Sequence, residues 1–260
     1  MILNIFICGI GGQGAVFLGS FLRNFFLRKY PNALILGTES RGVSQREGSV
    51  IASVRIQTDL KSRAIFSPEI PPMGADIVIA LEPLELLRNF SIVHRNTIIF
   101  TNNEPLIPKS SAQWMLQKTS NIEGTNVISH SKPKWLMNRV EQMIKENPVK
   151  PKSEKILLKI NDSNGSLLRK FQIQSYSNAS QIMDVNFSTL ILDEFEGSSQ
   201  LNLVMLGFVS YFLENTLQFR DLLGFIDDFY VNEISKERNK KGLEFGGLLA
   251  QHYEKMKEPI

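Results

Sequence analysis

MILNIFICGIGGQGAVFLG, residues 1–19, contains the pattern on which the predicted fold depends. An apolar run at residues 2–7, interrupted only by Asn4, leads into a glycine cluster, and an apolar stretch of helical character begins at Ala15. This order predicts a buried strand, a tight turn and a helix whose N-terminus points back over the turn. Because such a turn exposes backbone N–H groups at the positive end of a helix dipole, it favours an anion such as phosphate.

The order of strand followed by helix recurs in the next eighty residues. Apolar runs of strand length lie at residues 33–37 (ALILG), 76–81 (DIVIAL) and 97–101 (TIIFT), and Pro83 favours the start of a helix. This recurrence is typical of parallel sheets joined by right-handed crossovers. We therefore predict the α/β class, with a Rossmann-like, doubly wound and mostly parallel sheet.

Other stretches predict elements outside this pattern. Residues 50–57 (VIASVRIQ) alternate like a strand, and a turn with a short return at residues 63–66 predicts a β-hairpin excursion. The Asn-Gly pair at residues 164–165 predicts a second hairpin, between residues 155–161 and 168–176. Apolar periodicity predicts an internal helix and three C-terminal helices, at residues 132–147, 201–218, 222–236 and 243–257.

Composition indicates a packed chain of modest charge. With 260 residues, 43% of them hydrophobic, the sequence suits one large domain or one domain with an insertion. Cys8 is the only cysteine, so the chain cannot supply four cysteines to an iron–sulfur cluster, and we predict that Cys8 lies in the core. No positive charge precedes Arg23, and no apolar run reaches the roughly 20 residues that span a bilayer. We therefore expect a cytoplasmic protein without a membrane segment.

Charge is unevenly distributed, although the formal net charge is only +3. Residues 130–176 hold ten Lys and Arg against four Asp and Glu, whereas residues 184–228 hold eight acidic residues and one basic residue. Solvated faces, or a surface that docks another subunit, explain such blocks. The small net charge gives no reason to expect nucleic acid as a partner.

The glycine cluster satisfies the dinucleotide fingerprint GxGxxG between a predicted strand and helix. Glu39, 25 residues after Gly14, would be the ribose-binding acid of a stand-alone NAD-dependent dehydrogenase. The loop is richer in glycine than the fingerprint requires, and Gln45 and Arg46 follow Glu39 closely, which an NAD site does not require. A structural turn that binds nothing is the other alternative.

No complete catalytic pattern is present in the sequence. GxSxG, HExxH and a P-loop lysine are absent, and His94, His130 and His252 lack metal-ligand spacing. Glu82 and Glu85 lie three residues apart at a predicted helix start, where capping is favoured over a catalytic carboxylate pair. We therefore predict neither a catalytic residue nor a metal site in this chain.

Four blocks of sequence, in order, resemble a known family. The blocks are GIGGQG (9–14), RGVSQREGSV (41–50), FSPEIPPMGADIVIALEPLELLR (66–88) and GSSQLNLVMLG (197–207). They resemble the gamma-type domain of 2-oxoacid:ferredoxin oxidoreductases, in the version found in the small (beta) subunit of indolepyruvate ferredoxin oxidoreductase. The resemblance covers residues 1–101 and about 197–257. It implies a single gamma-type domain over residues 1–260, with an inserted segment at about 112–185 and C-terminal helices.

This resemblance implies a subunit of a thiamine-diphosphate enzyme. Such enzymes convert a 2-oxo acid and coenzyme A into an acyl-CoA, CO₂ and two electrons for ferredoxin. In the indolepyruvate type a large (alpha) subunit carries the thiamine diphosphate and the iron–sulfur clusters. The implied direct partner is therefore that subunit, while ferredoxin, CoA and the 2-oxo acid are indirect partners. A chain with one cysteine fits a small subunit that holds no cofactor of its own.

The resemblance also indicates which residues form the binding site. The matching positions are Gly9, Gly11, Gly12, Gln13, Gly14, Arg41, Gly42, Gln45, Arg46, Gly48 and Ser49. A guanidinium binds phosphate or carboxylate in bidentate fashion, so Arg46 is the expected anchor. The related pyruvate enzymes make the phosphates of CoA the hypothetical occupant of the glycine turn.

Two positions depart from the family pattern. Arg41 replaces a usual His, and Glu47 replaces a usual Gly. Glu47 adds negative charge and removes the freedom to adopt positive φ, which would hinder a loop that folds around an anion. These departures, with the predicted insertion, leave a third alternative: a regulatory or scaffold homologue that has lost catalysis.

Overall fold

The computed structural model of the protein describes residues 2–42, 48–59, 65–106, 155–160, 169–174, 181–195 and 200–255. In these residues the strands are β1 (Ile2–Ile10), β2 (Leu34–Arg41), β3 (Ser49–Gln57), β4 (Ala75–Ala80), β5 (Val93–Asn102), β6 (Lys155–Ile160), β7 (Arg169–Gln174) and β8 (Gln181–Val185). The α-helices are α1 (Ala15–Lys29), α2 (Pro83–Arg88), α3 (Phe187–Glu194), α4 (Leu201–Phe212), α5 (Phe219–Phe229) and α6 (Glu233–Lys255).

Six strands form the main sheet, in the order β2-β3-β1-β4-β5-β8. β4 and β5 continue the sheet parallel to β1, and β8 runs parallel to β5. Only β3 is reversed, because it pairs antiparallel with both β1 and β2. The predicted α/β class and the mostly parallel sheet are therefore confirmed.

The hairpin excursion is formed by a different pair of strands from the pair predicted. β3 was expected to pair with a return strand at residues 63–66, but it pairs with β2, with Arg41 opposite Val50. Residues 60–64 lie outside the described part, and residues 65 and 66 do not belong to a strand. β2 also includes residues 38–41 (TESR), whose polar side chains give no apolar pattern from which a strand could be predicted. Backbone pairing with β3, and not an apolar pattern, makes these residues a strand.

The two faces of the sheet are covered to different extents. Alternation along β1 directs Ile5 and Ile7 towards α1 and the C-terminal helices, and Phe6 and Cys8 towards the opposite face. The first face carries the larger apolar cluster, while the second packs against α2 and its neighbouring turn. The prediction that Cys8 is a core residue is confirmed, because its side chain is fully buried.

Glycines explain an error in the predicted C-terminal helices. A boundary was expected at Gly242, but α6 runs through it and begins at Glu233, where Asn232 Oδ1 accepts a hydrogen bond from Ile234 N at 2.9 Å. A Cβ on Gly246 would lie 2.8 Å from Phe208 N and closer still to Val204 O of α4. Gly246 thus permits two helix backbones to touch, whereas Gly242 lies against a side chain, since a Cβ there would be 2.9 Å from Gln200 Oε1. Neither glycine ends the helix.

The remaining predictions fall partly outside the described residues. β6 and β7 form the expected antiparallel hairpin, whereas its Asn-Gly turn and the predicted helix at residues 132–147 are not described. β8 occupies the end of the predicted insertion but pairs with β5 in the main sheet. The rest of that insertion stays a prediction. No helix in the described residues is long and apolar enough to cross a membrane.

Candidate functional site

The glycine turn, residues 10–14, joins β1 to α1 at the carboxyl end of the sheet. Gly12 (φ +100°) and Gly14 (φ +86°) have left-handed backbone conformations that L-residues adopt only with strain. Gln13 N donates to Ile10 O at 3.1 Å, which closes the turn, and among the described residues no side-chain hydrogen bond caps α1 at Gly14. Unpaired N–H groups at the start of a helix form the arrangement that binds anions.

Gln13 attaches this turn to the neighbouring parallel strand. Its Oε1 accepts from Ile10 N at 2.9 Å, and its Nε2 donates to Leu81 O at 3.3 Å. Leu81 follows β4, so one side chain connects the ends of β1 and β4. In open α/β sheets, ligands bind outside the carboxyl ends of the strands where chain connections diverge. Gln13 thus fixes the turn at the expected place.

The connection between β2 and β3 lies against the turn. Gly11 N donates to Gly48 O at 2.9 Å, and Gly42 N donates to Ser49 O at 2.7 Å. Arg41 and Gly42 are exposed at the end of β2. Gln45 and Arg46 lie in residues 43–47, outside the described part of the chain, so their position beside the turn stays a prediction.

Glu85 connects the third sequence block (residues 66–88) with the second (residues 41–50). Its side chain is fully buried, and its Oε2 accepts a 2.6 Å hydrogen bond from Ser49 Oγ. Its Oε1 forms an ion pair with Arg88, three residues later in α2. A buried carboxylate requires such partners, because removal from water otherwise costs several kcal/mol.

Glu82 is the N-cap of α2. Its Oε2 accepts from Glu85 N at 2.9 Å, and its Oε1 accepts from Leu106 N at 3.3 Å. The capping interpretation of this residue is confirmed. Burial raises the pKa of Glu82 to about 7; the backbone hydrogen bonds oppose this rise, and the nearby Glu85 carboxylate adds to it. Because both oxygens accept hydrogen bonds from backbone N–H groups, the Glu82 carboxyl has a structural role as the cap of α2.

Asn202 brings in the fourth block, from the first turn of α4. A Cβ on Gly14 would lie 3.0 Å from Asn202 Cγ and closer still to its Nδ2, so any larger residue here would require the amide to move. Asn202 Oδ1 accepts from Leu203 N at 2.8 Å. Asn202 and Glu85 were not among the predicted site residues, although both lie in blocks that resemble the family. Their contacts with Gly14 and Ser49 depend on the tertiary fold and leave no local signal.

The arrangement disfavours the NAD alternative. Glu39 lies on β2, which β3 separates from β1, a distance of about 10 Å across two strand spacings. Its carboxylate forms a 2.6 Å ion pair with Arg23 of α1. A ribose-binding acid lies at the end of a strand next to the glycine strand. Glu39 is therefore neither positioned nor free for that role.

Reactive side chains are few within the described ranges. Among these residues no group of three or more His, Cys, Asp or Glu side chains is placed to hold a metal ion. Burial raises the pKa of the Cys8 thiol well above its ordinary value, and the charges of Glu85 and Glu82 add to this rise. Because a thiolate is the reactive form of cysteine, Cys8 is inert here.

Comparison of the sequence with curated proteins gives relatives of one kind. The chain is 38% identical over 110 residues to indolepyruvate oxidoreductase subunit IorB of Archaeoglobus fulgidus, which is 42% of this chain and 51% of that protein. It is 35% identical over 105 residues to the subunit of the same name from Thermococcus kodakarensis, 40% of this chain and 48% of that protein. The chain thus spans about half the length of the curated relatives it matches.

Solved structures share the fold at low sequence identity. The gamma subunit of a keto/oxoacid ferredoxin oxidoreductase from Geobacter sulfurreducens aligns with a TM-score of 0.52 at 13% identity, over 96% of this chain and 99% of that one. The 2-oxoglutarate:ferredoxin oxidoreductase of Magnetococcus marinus, solved with 2-oxoglutarate, coenzyme A and succinyl-CoA, aligns with a TM-score of 0.55 at 13% identity. This alignment covers 96% of this chain and 31% of that chain.

The match to a protein family extends over most of the sequence. Residues 4–244 match the pyruvate ferredoxin/flavodoxin oxidoreductase family, and they include the glycine turn, the β2–β3 connection, α2 and α4. The resemblance inferred from four short blocks is confirmed. The chain belongs to the pyruvate ferredoxin/flavodoxin oxidoreductase family.

Proposed function

We propose that this chain is the small subunit of a cytoplasmic, thiamine-diphosphate-dependent 2-oxoacid:ferredoxin oxidoreductase of the indolepyruvate type. It supports the oxidative decarboxylation of a 2-oxo acid to an acyl-CoA. The observation that carries this proposal is the convergence of all four sequence blocks at the glycine turn, through Gly48, Leu81, Glu85 and Asn202.

The chemistry of the described residues supports a binding role. Release of CO₂ from a 2-oxo acid leaves an electron pair that thiamine diphosphate stabilises and iron–sulfur clusters accept. The chain has one cysteine, and it is fully buried, so this chain cannot supply the ligands of such a cluster. The redox groups therefore belong to a large partner subunit, and this chain contributes to the path of CoA.

The turn offers two kinds of anion contact. Backbone N–H groups at the start of α1 supply the first, in a backbone fixed by Gly12 and Gly14. Arg41, exposed at the end of β2, supplies the second. The Magnetococcus marinus enzyme, whose chain shares this fold, was solved with coenzyme A. We assign the phosphates of CoA to the turn.

Reconstitution tests the assignment of the subunit. Co-expression with the large subunit of an indolepyruvate-type enzyme should give a complex that co-elutes in size-exclusion chromatography. That complex should reduce viologen only when a 2-oxo acid and CoA are both present. If this chain forms a complex with none of the large subunits tested, so that each large subunit elutes alone, the proposal is refuted.

Titration calorimetry tests the role of the turn. The complex should bind CoA, and pantetheine, which lacks the phosphates, should bind at least tenfold more weakly because bidentate phosphate contacts are lost. Equal affinity for CoA and pantetheine would assign the turn to another ligand. Micromolar binding of NADH by the isolated chain would instead favour the dehydrogenase alternative.

A further inference from the structure

Glu85 is a fully buried carboxylate that contacts the base of the β2–β3 connection. Its Oε2 accepts from Ser49 Oγ at 2.6 Å, while Arg88, which pairs with Oε1, lies with 64% of its side chain exposed. A residue needed only to fill space here would be apolar, because a buried carboxylate must first be desolvated. The contacts with Ser49 and Arg88 therefore account for the presence of a buried carboxylate at this position.

Ser49 lies where three segments meet. Its carbonyl accepts from Gly42 N at 2.7 Å, which closes the connection between β2 and β3. The preceding carbonyl, of Gly48, accepts from Gly11 N in the glycine turn at 2.9 Å. A hydrogen bond that fixes Ser49 thus acts on both ends of the connection and on the turn at once.

We propose that Glu85 is a positioning residue, which through Ser49 holds the described ends of the β2–β3 connection, Gly42 and Gly48, at the glycine turn. This inference rests on the proposed function only in its consequence, which is that the exposed Arg41 is held at the end of β2 for an anion. Glu85 does not touch the anion in this arrangement. A charge-assisted hydrogen bond is stronger than a neutral one, so the acid positions Ser49 more firmly than an amide would.

Hydrogen exchange of two amides tests the positioning directly. The Gly11 and Gly42 N–H groups should exchange about tenfold faster in Ser49→Ala, because the loss of a hydrogen bond to a charged group weakens the base of the connection. Glu85→Gln, which retains a weaker acceptor, should give a smaller acceleration. Ser49→Thr keeps the hydroxyl and should restore slow exchange. In the double variant Ser49→Ala/Glu85→Gln the two amides should exchange no faster than in Ser49→Ala alone, since both substitutions affect the same hydrogen bond.

Glu82→Gln provides the matched control. Glu82 is a similarly buried acid at the same helix start, but its oxygens accept from Glu85 N and Leu106 N and do not contact Ser49. Its replacement should accelerate exchange at the Glu85 and Leu106 amides and leave Gly11 and Gly42 unchanged. Equal acceleration of these two amides in the control, or none in Ser49→Ala, would overturn the inference and reduce Glu85 to a general stabilising residue.

Ligand binding separates this inference from the proposed function. In the reconstituted complex, the affinity for CoA should fall several-fold in Ser49→Ala and return in Ser49→Thr. Accelerated exchange without a change in affinity would uphold the contact but refute its role in holding a binding loop. If wild-type complex binds no CoA while exchange responds as described, the proposed ligand is wrong and Glu85 still positions the connection.

Discussion

Alanine at two neighbouring glycines of the turn should have very different costs. Gly12 and Gly14 both have positive φ, but the space around them differs. A Cβ on Gly12 would meet nothing within 4 Å, whereas one on Gly14 would lie 3.0 Å from Asn202 Cγ and closer still to its Nδ2. The comparison therefore separates backbone strain from the clash with α4.

The expected costs follow from these two contributions. Left-handed backbone costs an L-residue about 1–2 kcal/mol, partly offset by the smaller entropy of the unfolded alanine chain, so Gly12→Ala should lower the free energy of unfolding by about 1 kcal/mol. Gly14→Ala carries the same strain and an overpacking term of about 1–3 kcal/mol, giving about 2–4 kcal/mol in total. Displacement of Asn202 would also break its 2.8 Å hydrogen bond with Leu203 N.

Urea denaturation of single and double variants measures the difference. Asn202→Ala removes the amide but leaves Asn202 Cβ, which lies at 3.4 Å from the added atom, an ordinary contact. In that background Gly14→Ala should cost no more than Gly12→Ala, so the coupling energy of the double-mutant cycle should be about 1–3 kcal/mol. Equal costs for the two glycines in the wild-type background would refute the reasoning, as would a coupling energy near zero.

Four further outcomes are expected. The raised pKa of Glu82, about 7, means that the folded state retains a proton that the unfolded state has released; the free energy of unfolding should therefore fall as pH rises from about 4.5 to 7, and Glu82→Gln should flatten this slope in urea titrations. Gly246→Ala should abolish soluble expression or lower the melting temperature by many degrees, because Val204 O is backbone and cannot move aside. Gly224→Ala, in open space on α5, should instead stabilise by up to about 1 kcal/mol. Calorimetry of the isolated chain with NADH should show no micromolar binding, because Glu39 is paired with Arg23.

The local sequence pattern was sufficient to predict the first strand, turn and helix. Elsewhere the prediction was limited because the pairing of strands distant in sequence cannot be read from one sequence. The strand, turn and helix at residues 2–29 are determined by neighbouring residues, and they were predicted correctly. The partner of β3 was wrong because a single sequence does not show which strand another will pair with. Gly242 was taken as a helix end because a glycine that permits close helix packing looks the same in sequence as one that terminates a helix. Tertiary contacts decide between these uses.

The candidate site shows the same division between local and tertiary information. Gly9, Gly11 and Gly14 were predicted from spacing, since a turn before a helix needs glycine locally, and the resemblance added Gly12 and Gln13. Contact between Ser49 and Glu85, 36 residues apart, could not be identified this way. Both residues belong to blocks that resemble the family, so the resemblance selected segments that lie together in the fold without indicating which contacts join them.

The reactive groups described near the glycine turn are engaged in contacts within the fold. Glu82 caps α2 with both oxygens engaged, Glu85 holds Ser49 and Arg88, and Cys8 is buried with a raised pKa. These three groups are therefore engaged in contacts within the fold. Among the described residues, the start of α1 offers backbone N–H groups and β2 ends at the exposed Arg41, and both kinds of group bind negative charge. These groups suit the binding role that we propose for the chain as a small subunit.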